Sequence, residues 1–192
     1  MLAMTRPHPQ AGVTLAELIV VVAVLAVLAV FAAPAALDWW RRETVIVLAD
    51  RFASAVSLAQ VTARNRRAWV HLGPLDAGEG WSSGWALYMT PSPQTQTTPL
   101  APGAEDVLLS VSPPGVPAME LTFKSSQKGV DTLSYAPVGY SRTSNDAQLY
   151  GTLTVASGPH VRRVRINRAG RARICNPASD SSCGTDGIDD AP

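Results

Sequence analysis

The chain has 192 residues, a length suited to one domain with an appendage, and a formal net charge of +1. That balance excludes a strongly basic or acidic polyelectrolyte as the character of the whole molecule. Hydrophobic residues make up 46% of the chain and concentrate near its start, where the twenty residues Leu18–Leu37 carry no charge. A helix of that length spans about 30 Å, the thickness of a bilayer's hydrocarbon core. The sequence therefore predicts a transmembrane segment over about residues 15–37.

A short polar segment, residues 1–12, precedes the apolar span. Secretory signal peptides have an apolar region of about 7–15 residues with a small-residue cleavage site behind it. Here the apolar run is longer, and the small-residue junction between Gly12 and Val13 lies in front of it. The pattern favours a retained membrane helix whose leader peptide, residues 1–12, is removed by cleavage after Gly12.

Glu17 stands at the start of the apolar span, where a carboxylate is costly to desolvate. Cleavage after Gly12 would make the amine of Val13 the new N-terminus, about one helical turn before Glu17. In an assembly of parallel helices, that amine on one subunit would neutralise Glu17 on a neighbour. The alternative is that Glu17 snorkels to the lipid headgroups without a specific role.

The helix is predicted to continue beyond the apolar span, over residues 13–67 in all. Pro34 should kink it, because proline removes one backbone hydrogen bond. After Pro34, apolar residues recur at spacings of three or four, which is typical of an amphipathic helix with one face packed on a sheet. These positions are Val45, Leu48, Phe52, Val56 and Ala59.

From Ala68 onward the chain consists of short β-like runs separated by Gly and Pro. Residues 90–103, rich in Pro, Thr and Gln, predict a surface loop, and the acidic residues 176–192 predict a poorly ordered tail. We therefore expect a β-rich globular domain over residues 68–192. With the long helix this is an α+β fold, the helix packed on an antiparallel β-sheet. The predicted strands are Trp69–Leu72, Trp85–Met89, Val107–Val111, Met119–Phe123, Thr132–Ala136, Leu149–Val155 and Val161–Ile166.

The two cysteines, Cys175 and Cys183, lie near the C-terminus with seven residues between them. No histidine stands beside them, so a zinc site would have too few ligands. A disulfide that closes a short loop is the expectation for a domain outside the cytoplasm, and two unrelated free thiols are the alternative.

A basic cluster follows His160: residues 161–174 contain six arginines and no acidic residue. Asn167–Gly170 predicts a tight turn, so this region is expected to form a β-hairpin. Guanidinium groups suit phosphates, and a basic ridge at a turn can track a nucleic-acid backbone. The alternative is a solvated strand that pairs with acidic groups of neighbouring subunits or of the tail. Strand alternation would bring to one face Arg163, Arg165, Arg171 and Arg173.

Three stretches resemble a known protein family. Gly12–Leu18 is similar to the processing motif of type IV pilins and type II secretion pseudopilins: a Gly before the cut, an N-methylated residue after it and a Glu at the fifth mature position. Val13 replaces the family's usual Phe, and Pro34 lies where the family commonly has a helix-kinking proline. Within that group, Trp81–Tyr88 and Val164–Ile174 resemble the W-x-x-G-W strand and the Gly-Arg-x-Arg hairpin of the GspH/FimT family.

The resemblance implies a minor pilin or pseudopilin, a structural subunit of a type IV pilus or type II secretion pseudopilus, with no enzymatic activity and no cofactor. It implies a single-pass protein of the inner membrane with a periplasmic or extracellular globular domain. A prepilin peptidase would cleave after Gly12 and methylate Val13, and Glu17 would serve assembly with other pilin subunits. FimT-type members of transformable bacteria further imply capture of double-stranded DNA without sequence specificity. The residues carried over for that role are Arg171 and Arg173, with Arg165 and Arg168 in support.

Two other functions remain open from the sequence. A type II secretion pseudopilin would use the hairpin in assembly, with no DNA role. A generic single-pass anchored binding domain would keep residues 1–12. An enzyme is not expected, because no order of Ser, His and Asp, no paired carboxylates and no phosphate-binding loop stand out.

Overall fold

The computed structural model describes residues 14–76, 78–93, 107–113 and 119–184. Gly12 and Val13, the predicted cleavage and methylation positions, lie outside the described residues, as does most of the predicted loop at residues 90–103. Within the described part, the chain forms one long helix, eight strands and a short 3-10 helix. Their bounds are α1 Leu15–Arg66, β1 Trp69–Asp76, β2 Gly80–Thr90, β3 Val107–Ser112, β4 Glu120–Ser125, β5 Leu133–Tyr135, β6 Gly151–Ser157, β7 His160–Ile166, β8 Ala172–Cys175 and the 3-10 helix Ser181–Cys183.

The chain divides into two compact units, residues 1–40 and residues 41–192. In the first unit the helix is apolar and uncovered, since its large apolar side chains between Leu15 and Leu37 are 51–77% exposed. Helix α1 is long and apolar enough to cross a membrane, and Pro34 lies inside it. A helix that is apolar on every side needs lipid or other helices around it.

In the second unit the rest of α1 buries one stripe of side chains against the sheets. Phe52 is fully buried and packs edge-on against Trp81 and Trp85, with ring centroids 5.3 and 5.5 Å away. The helix ends where Arg67 adopts a positive φ of 52°, a left-handed conformation that closes a helix. The predicted amphipathic face is confirmed, and its buried members are Val45, Leu48, Ala49, Phe52, Val56, Ala59 and Ala63.

The strands form two four-stranded sheets. The first has the order β3-β2-β1-β5 and the second the order β4-β6-β7-β8, with antiparallel pairing throughout the described strands. The predicted α+β fold with antiparallel strands is confirmed, although the strands are divided between two sheets. Strand β3 is an edge strand of the first sheet and carries four apolar side chains that are 37–48% exposed.

The chain continues past β8 into an ordered segment, Asn176–Gly184, which we call the C-terminal segment. It contains a turn and the 3-10 helix, whose N-cap is Asp180: the carboxylate accepts a hydrogen bond from the backbone N–H of Ser182. A disulfide joins Cys183 of this segment to Cys175 at the end of β8, with Cα atoms 5.7 Å apart. The prediction of a poorly ordered tail is therefore wrong for residues 176–184, because local capping and a cross-link hold them. Residues 185–192 lie outside the described residues.

Candidate functional site

The β7–β8 hairpin turns at Asn167–Gly170, as its sequence predicts. The Gly170 N–H donates to the Asn167 carbonyl at 2.8 Å, and the Asn167 side-chain oxygen accepts from the N–H groups of Ala169 and Arg171 at 3.0 and 2.9 Å. Gly170 has a φ of 77°, and a Cβ there would lie 2.6 Å from Cε1 of Tyr135. Both observations require glycine at this position of the Gly-Arg-x-Arg element.

The turn is fixed to the body of the domain by two polar side chains. The hydroxyl of Tyr135 in β5 donates to the Gly170 carbonyl at 2.6 Å. Burial raises the pKa of Tyr135 far above its ordinary value, so the hydroxyl stays protonated and remains a donor. Gln60 of α1 donates through Nε2 to the carbonyls of Ala169 and Gly139, at 3.0 and 2.8 Å. The turn is therefore tied to both the helix and the first sheet.

The register of the hairpin gathers arginines on its outer face. Arg165 lies directly across from Arg173, and Arg163 lies across from Cys175. On the opposite face Val164 and Ile166 are buried in the core. Alternation along the strands therefore separates an apolar face from an outer face that carries Arg163, Arg165 and Arg173, which we call the arginine face.

Two of the predicted DNA-binding residues lie at the turn end of the hairpin. The guanidinium carbon of Arg168 sits 5.5 Å from the centroid of the Tyr150 ring, a cation–π distance. Arg171 is exposed, and its guanidinium has no hydrogen bond or ion pair with any described residue. Among the predicted arginines, Arg165 and Arg173 thus form one pair, with Arg168 and Arg171 beside them at the turn.

The C-terminal segment occupies much of this arginine face. Arg165 Nη1 donates to the Ser182 carbonyl at 2.7 Å, and Arg163 Nη1 donates to the Gly184 carbonyl. Arg173 Nη2 donates to Asp180 Oδ2 at 2.6 Å and to Ser182 Oγ at 2.7 Å. The sequence had left open, as an alternative, that these arginines pair with acidic groups of the tail, and the contact between Arg173 and Asp180 is of that kind. Sequence reasoning missed the contacts to the backbone carbonyls of Ser182 and Gly184, which leave no pattern in the sequence.

The carboxylate of Asp180 is stabilised where it lies. Hydrogen bonds from Ser182 and the charge of Arg173 hold the pKa of Asp180 below its ordinary value. The Ser182 hydroxyl lies 2.6 Å from Asp180 Oδ1, and the ion pair with Arg173 uses the other carboxylate oxygen. Asp180 is therefore an ionised partner of the arginine face at neutral pH.

Glu17, the predicted assembly residue, lies in the exposed first turn of α1. Its backbone N–H donates to Thr14 Oγ1 at 3.3 Å, so Thr14 caps the helix and Glu17 takes the third helical position. That spacing is a capping box, and a negative charge there is favourable at a helix N-terminus. Sequence reasoning missed the cap that Thr14 provides, although the Thr-x-x-Glu spacing was available to indicate it.

In the described residues no group of three or more His, Cys, Asp and Glu side chains is placed to hold a metal ion.

Comparison with known proteins identifies the family. The family model of the type II transport protein GspH matches residues 48–170, more than half of the chain. The chain belongs to the GspH family. The model of the prokaryotic N-terminal methylation motif matches residues 7–33, a range that includes Gly12, Val13 and Glu17. Two of the hairpin arginines, Arg171 and Arg173, lie beyond the range that the GspH model matches.

Two solved structures are similar to this GspH-family chain, both of the type IV minor pilin FimU of Pseudomonas aeruginosa. One is 17% identical, with a TM-score of 0.49, and the match covers 72% of this chain and 92% of that chain. The other is 16% identical, with a TM-score of 0.44, and the match covers 68% of this chain and 92% of that chain. No curated protein matches the sequence.

Family membership fixes the broad function. The GspH family is a family of structural pilin-like subunits, so this chain is a minor pilin or pseudopilin that assembles with other pilin subunits. The methylation motif and the apolar helix behind it make it a membrane-anchored pilin.

Proposed function

We propose that this pilin-like subunit is made as a precursor in the inner membrane and enters a type IV pilus or type II secretion pseudopilus after processing. A prepilin peptidase removes residues 1–12 and methylates Val13, and the domain from residue 68 lies in the periplasm or outside the cell. The observation that carries the proposal is the methylation-motif match over residues 7–33, which runs into the exposed apolar half of α1.

Processing is tested by mass spectrometry of the protein extracted from membranes of cells that contain the peptidase. We expect an N-terminus at Val13 that carries one methyl group. Gly12→Glu should leave the chain uncut, because a bulky charged side chain does not fit a site shaped for glycine. A wild-type chain that keeps Met1 in such cells would instead support a generic membrane-anchored domain.

The proposed assembly role of Glu17 is tested with a variant that preserves the Thr-x-x-Glu type of helix start. Glu17→Gln removes the charge but keeps a side chain suited to the third position of a capping box. Membrane insertion should persist, because the variant makes the span less polar. Incorporation into sheared filaments should fall strongly, because the amine of Val13 on a neighbour would lose its partner in a low dielectric. Incorporation equal to that of wild type would show that the charge of Glu17 has no role in assembly.

The second candidate function is capture of double-stranded DNA by the arginine hairpin. Its support is the cross-strand pair Arg165 and Arg173 on the outer face, together with the exposed Arg171 at the turn. Arginines on such a ridge contact phosphates rather than base edges, so binding is expected to be independent of sequence.

DNA capture is tested with the full chain in a neutral detergent, by fluorescence anisotropy of a labelled duplex across a salt series. Each phosphate neutralised contributes about −0.9 to the slope of log affinity against log salt. Arg171→Gln should therefore make the slope less negative by about 0.9 and weaken binding to all duplexes alike. Arg66→Gln, which removes an exposed charge at the end of α1, is the matched control and should leave the slope unchanged. Absence of salt-sensitive duplex binding, both in the wild-type chain and in a variant in which Asp180 no longer pairs with Arg173, would rule the DNA role out.

A further inference from the structure

The C-terminal segment meets the arginine face with the kind of groups that a phosphate would present. Its contacts are oxygen acceptors: the carbonyls of Gly184 and Ser182, the hydroxyl of Ser182 and the carboxylate of Asp180. One of them is an anion, and it lies 2.6 Å from Arg173. A phosphodiester oxygen accepts hydrogen bonds from the same guanidinium N–H groups with similar geometry.

The segment is held in place independently of these arginines. The disulfide between Cys175 and Cys183 fastens it to β8, with a sequence separation of 8. The N-cap of Asp180 fixes the short helix, so the carboxylate points to Arg173 from a structured backbone. A tethered group competes at a high effective concentration, which a free ligand must overcome.

We propose that the C-terminal segment is a built-in competitor for anionic ligands, in which Asp180 and Ser182 occupy guanidinium groups of Arg165 and Arg173 that a phosphate-bearing polyanion would engage. The proposal deepens the DNA role and rests on it only for the identity of the ligand. Arg171 lies outside the competitor's contacts and is the first point of attachment. Engagement of Arg165 and Arg173 requires the segment to give up its contacts, so the wild-type chain binds anions more weakly than its arginine count suggests.

Asp180→Asn tests the competitor directly. Asparagine remains a good N-cap, so the short helix should persist while the negative charge opposite Arg173 is lost. Asp146→Asn is the matched control: Asp146 is exposed, pairs loosely with Arg142 at 3.7 Å and has a φ of 59° that asparagine tolerates. Both variants change the net charge equally. Ser182→Ala, which removes one acceptor of Arg173 and keeps the backbone, serves as the second variant.

Two probes are used with the full chain in neutral detergent: inorganic pyrophosphate, followed by NMR of the arginine side-chain N–H signals, and a labelled duplex, followed by anisotropy. We expect Asp180→Asn to tighten pyrophosphate binding about three- to fivefold over wild type, the size of an exposed ion pair. Ser182→Ala should tighten it less, and Asp146→Asn should not change it. With the duplex, the salt slope of Asp180→Asn should steepen by about 0.9, since one more arginine reaches a phosphate.

The outcomes separate the two proposals. Equal pyrophosphate affinity in wild type, Asp180→Asn and Asp146→Asn would overturn the competitor, whatever the duplex does. Equal tightening in both aspartate variants would also overturn it, because net charge alone would then explain the effect. Tighter pyrophosphate binding in Asp180→Asn without duplex binding in any variant would uphold the competitor and remove DNA as its ligand.

Discussion

The two halves of α1 belong to one continuous helix and face opposite surroundings. The half from Leu15 to Trp40 exposes apolar side chains on every side, whereas the half from Arg41 to Arg66 buries a single stripe and keeps its charges on the other faces. The difference follows from the spacing of apolar residues. An apolar run without a period leaves apolar side chains on every side of the helix, and these need lipid or other helices around them. Apolar residues at spacings of three or four form one stripe, which packs on the sheets of the same chain. The second half of α1 therefore contributes to the stability of the domain, and the first half leaves its apolar side chains uncovered in the chain itself.

The sharpest test of this comparison replaces one phenylalanine in each half. Phe52→Ala should lower the free energy of unfolding by about 3–5 kcal/mol, because Phe52 is fully buried between Trp81 and Trp85. Phe31→Ala should leave it unchanged, since Phe31 is 76% exposed. Urea unfolding of the full chain in detergent, followed by near-ultraviolet circular dichroism, measures both. Comparable losses in the two variants would break the division of roles.

The redox state of the disulfide tests on which side of the membrane the globular domain lies. If the first half of α1 spans the membrane and the domain lies outside the cytoplasm, Cys175 and Cys183 should be oxidised in cells. The double variant Cys175→Ser, Cys183→Ser should then lower the free energy of unfolding by about 2–3 kcal/mol, from the loop that the bond closes. Maleimide labelling of protein extracted without reductant should find no free thiol. Quantitative labelling would place the domain in a reducing compartment.

A smaller effect on stability is expected from the two hydrogen bonds that the side chain of Gln60, in the second half of α1, donates. Gln60→Leu should cost about 1–2 kcal/mol, because the carbonyls of Gly139 and Ala169 lose their shared donor. The turn of the arginine hairpin should also exchange its amide hydrogens faster, which hydrogen exchange would detect. Asn65→Leu, an exposed site on the same half, is the control and should be close to neutral. Equal costs at both sites would mean that Gln60 contributes only helix propensity.

The smallest expected effect is the pH dependence of stability that Asp180, a residue outside α1, contributes. Since the pKa of Asp180 is lowered in the fold, its contribution to stability is present above its ordinary value of 3.8 and is lost as the pH falls through the lower folded value. Unfolding of wild type and Asp180→Asn should therefore converge in strong acid and differ slightly at neutral pH. A difference that stays constant down to the lowest pH would show that the carboxylate is not stabilised by Ser182 and Arg173.

The elements that local patterns specify could be predicted from the sequence. The apolar run and the period of three or four gave α1 and its buried face, and Asn167 with Gly170 gave the turn that sets the hairpin. Alternation then placed Arg163 and Arg165 opposite Val164, as the strand has them.

What depends on contacts distant in sequence could not be predicted. The pairing of β1 with β5 joins Val70 to Tyr135, and no local pattern specifies that register or the split into two sheets. The disulfide of the C-terminal segment was expected, but the segment was predicted as a poorly ordered tail because its helix cap and its guanidinium contacts to carbonyls follow no apolar periodicity. The anchoring by Gln60 is hidden for the same reason: a glutamine on a helix is ordinarily a solvated residue.

Strand β3 has a consequence for handling the protein. In the part of the chain that the structure describes, it pairs only with β2, its other edge has no strand partner, and Val107, Leu108 and Val111 are half-exposed. An unpaired strand edge can form backbone hydrogen bonds with a strand of another molecule. Strand β3 contains no charged side chain that would prevent such pairing. Concentrated samples of the isolated protein should therefore self-associate through this edge of β3, which size-exclusion chromatography over a concentration series would detect. A single lysine at Leu108 is the simplest way to keep them apart.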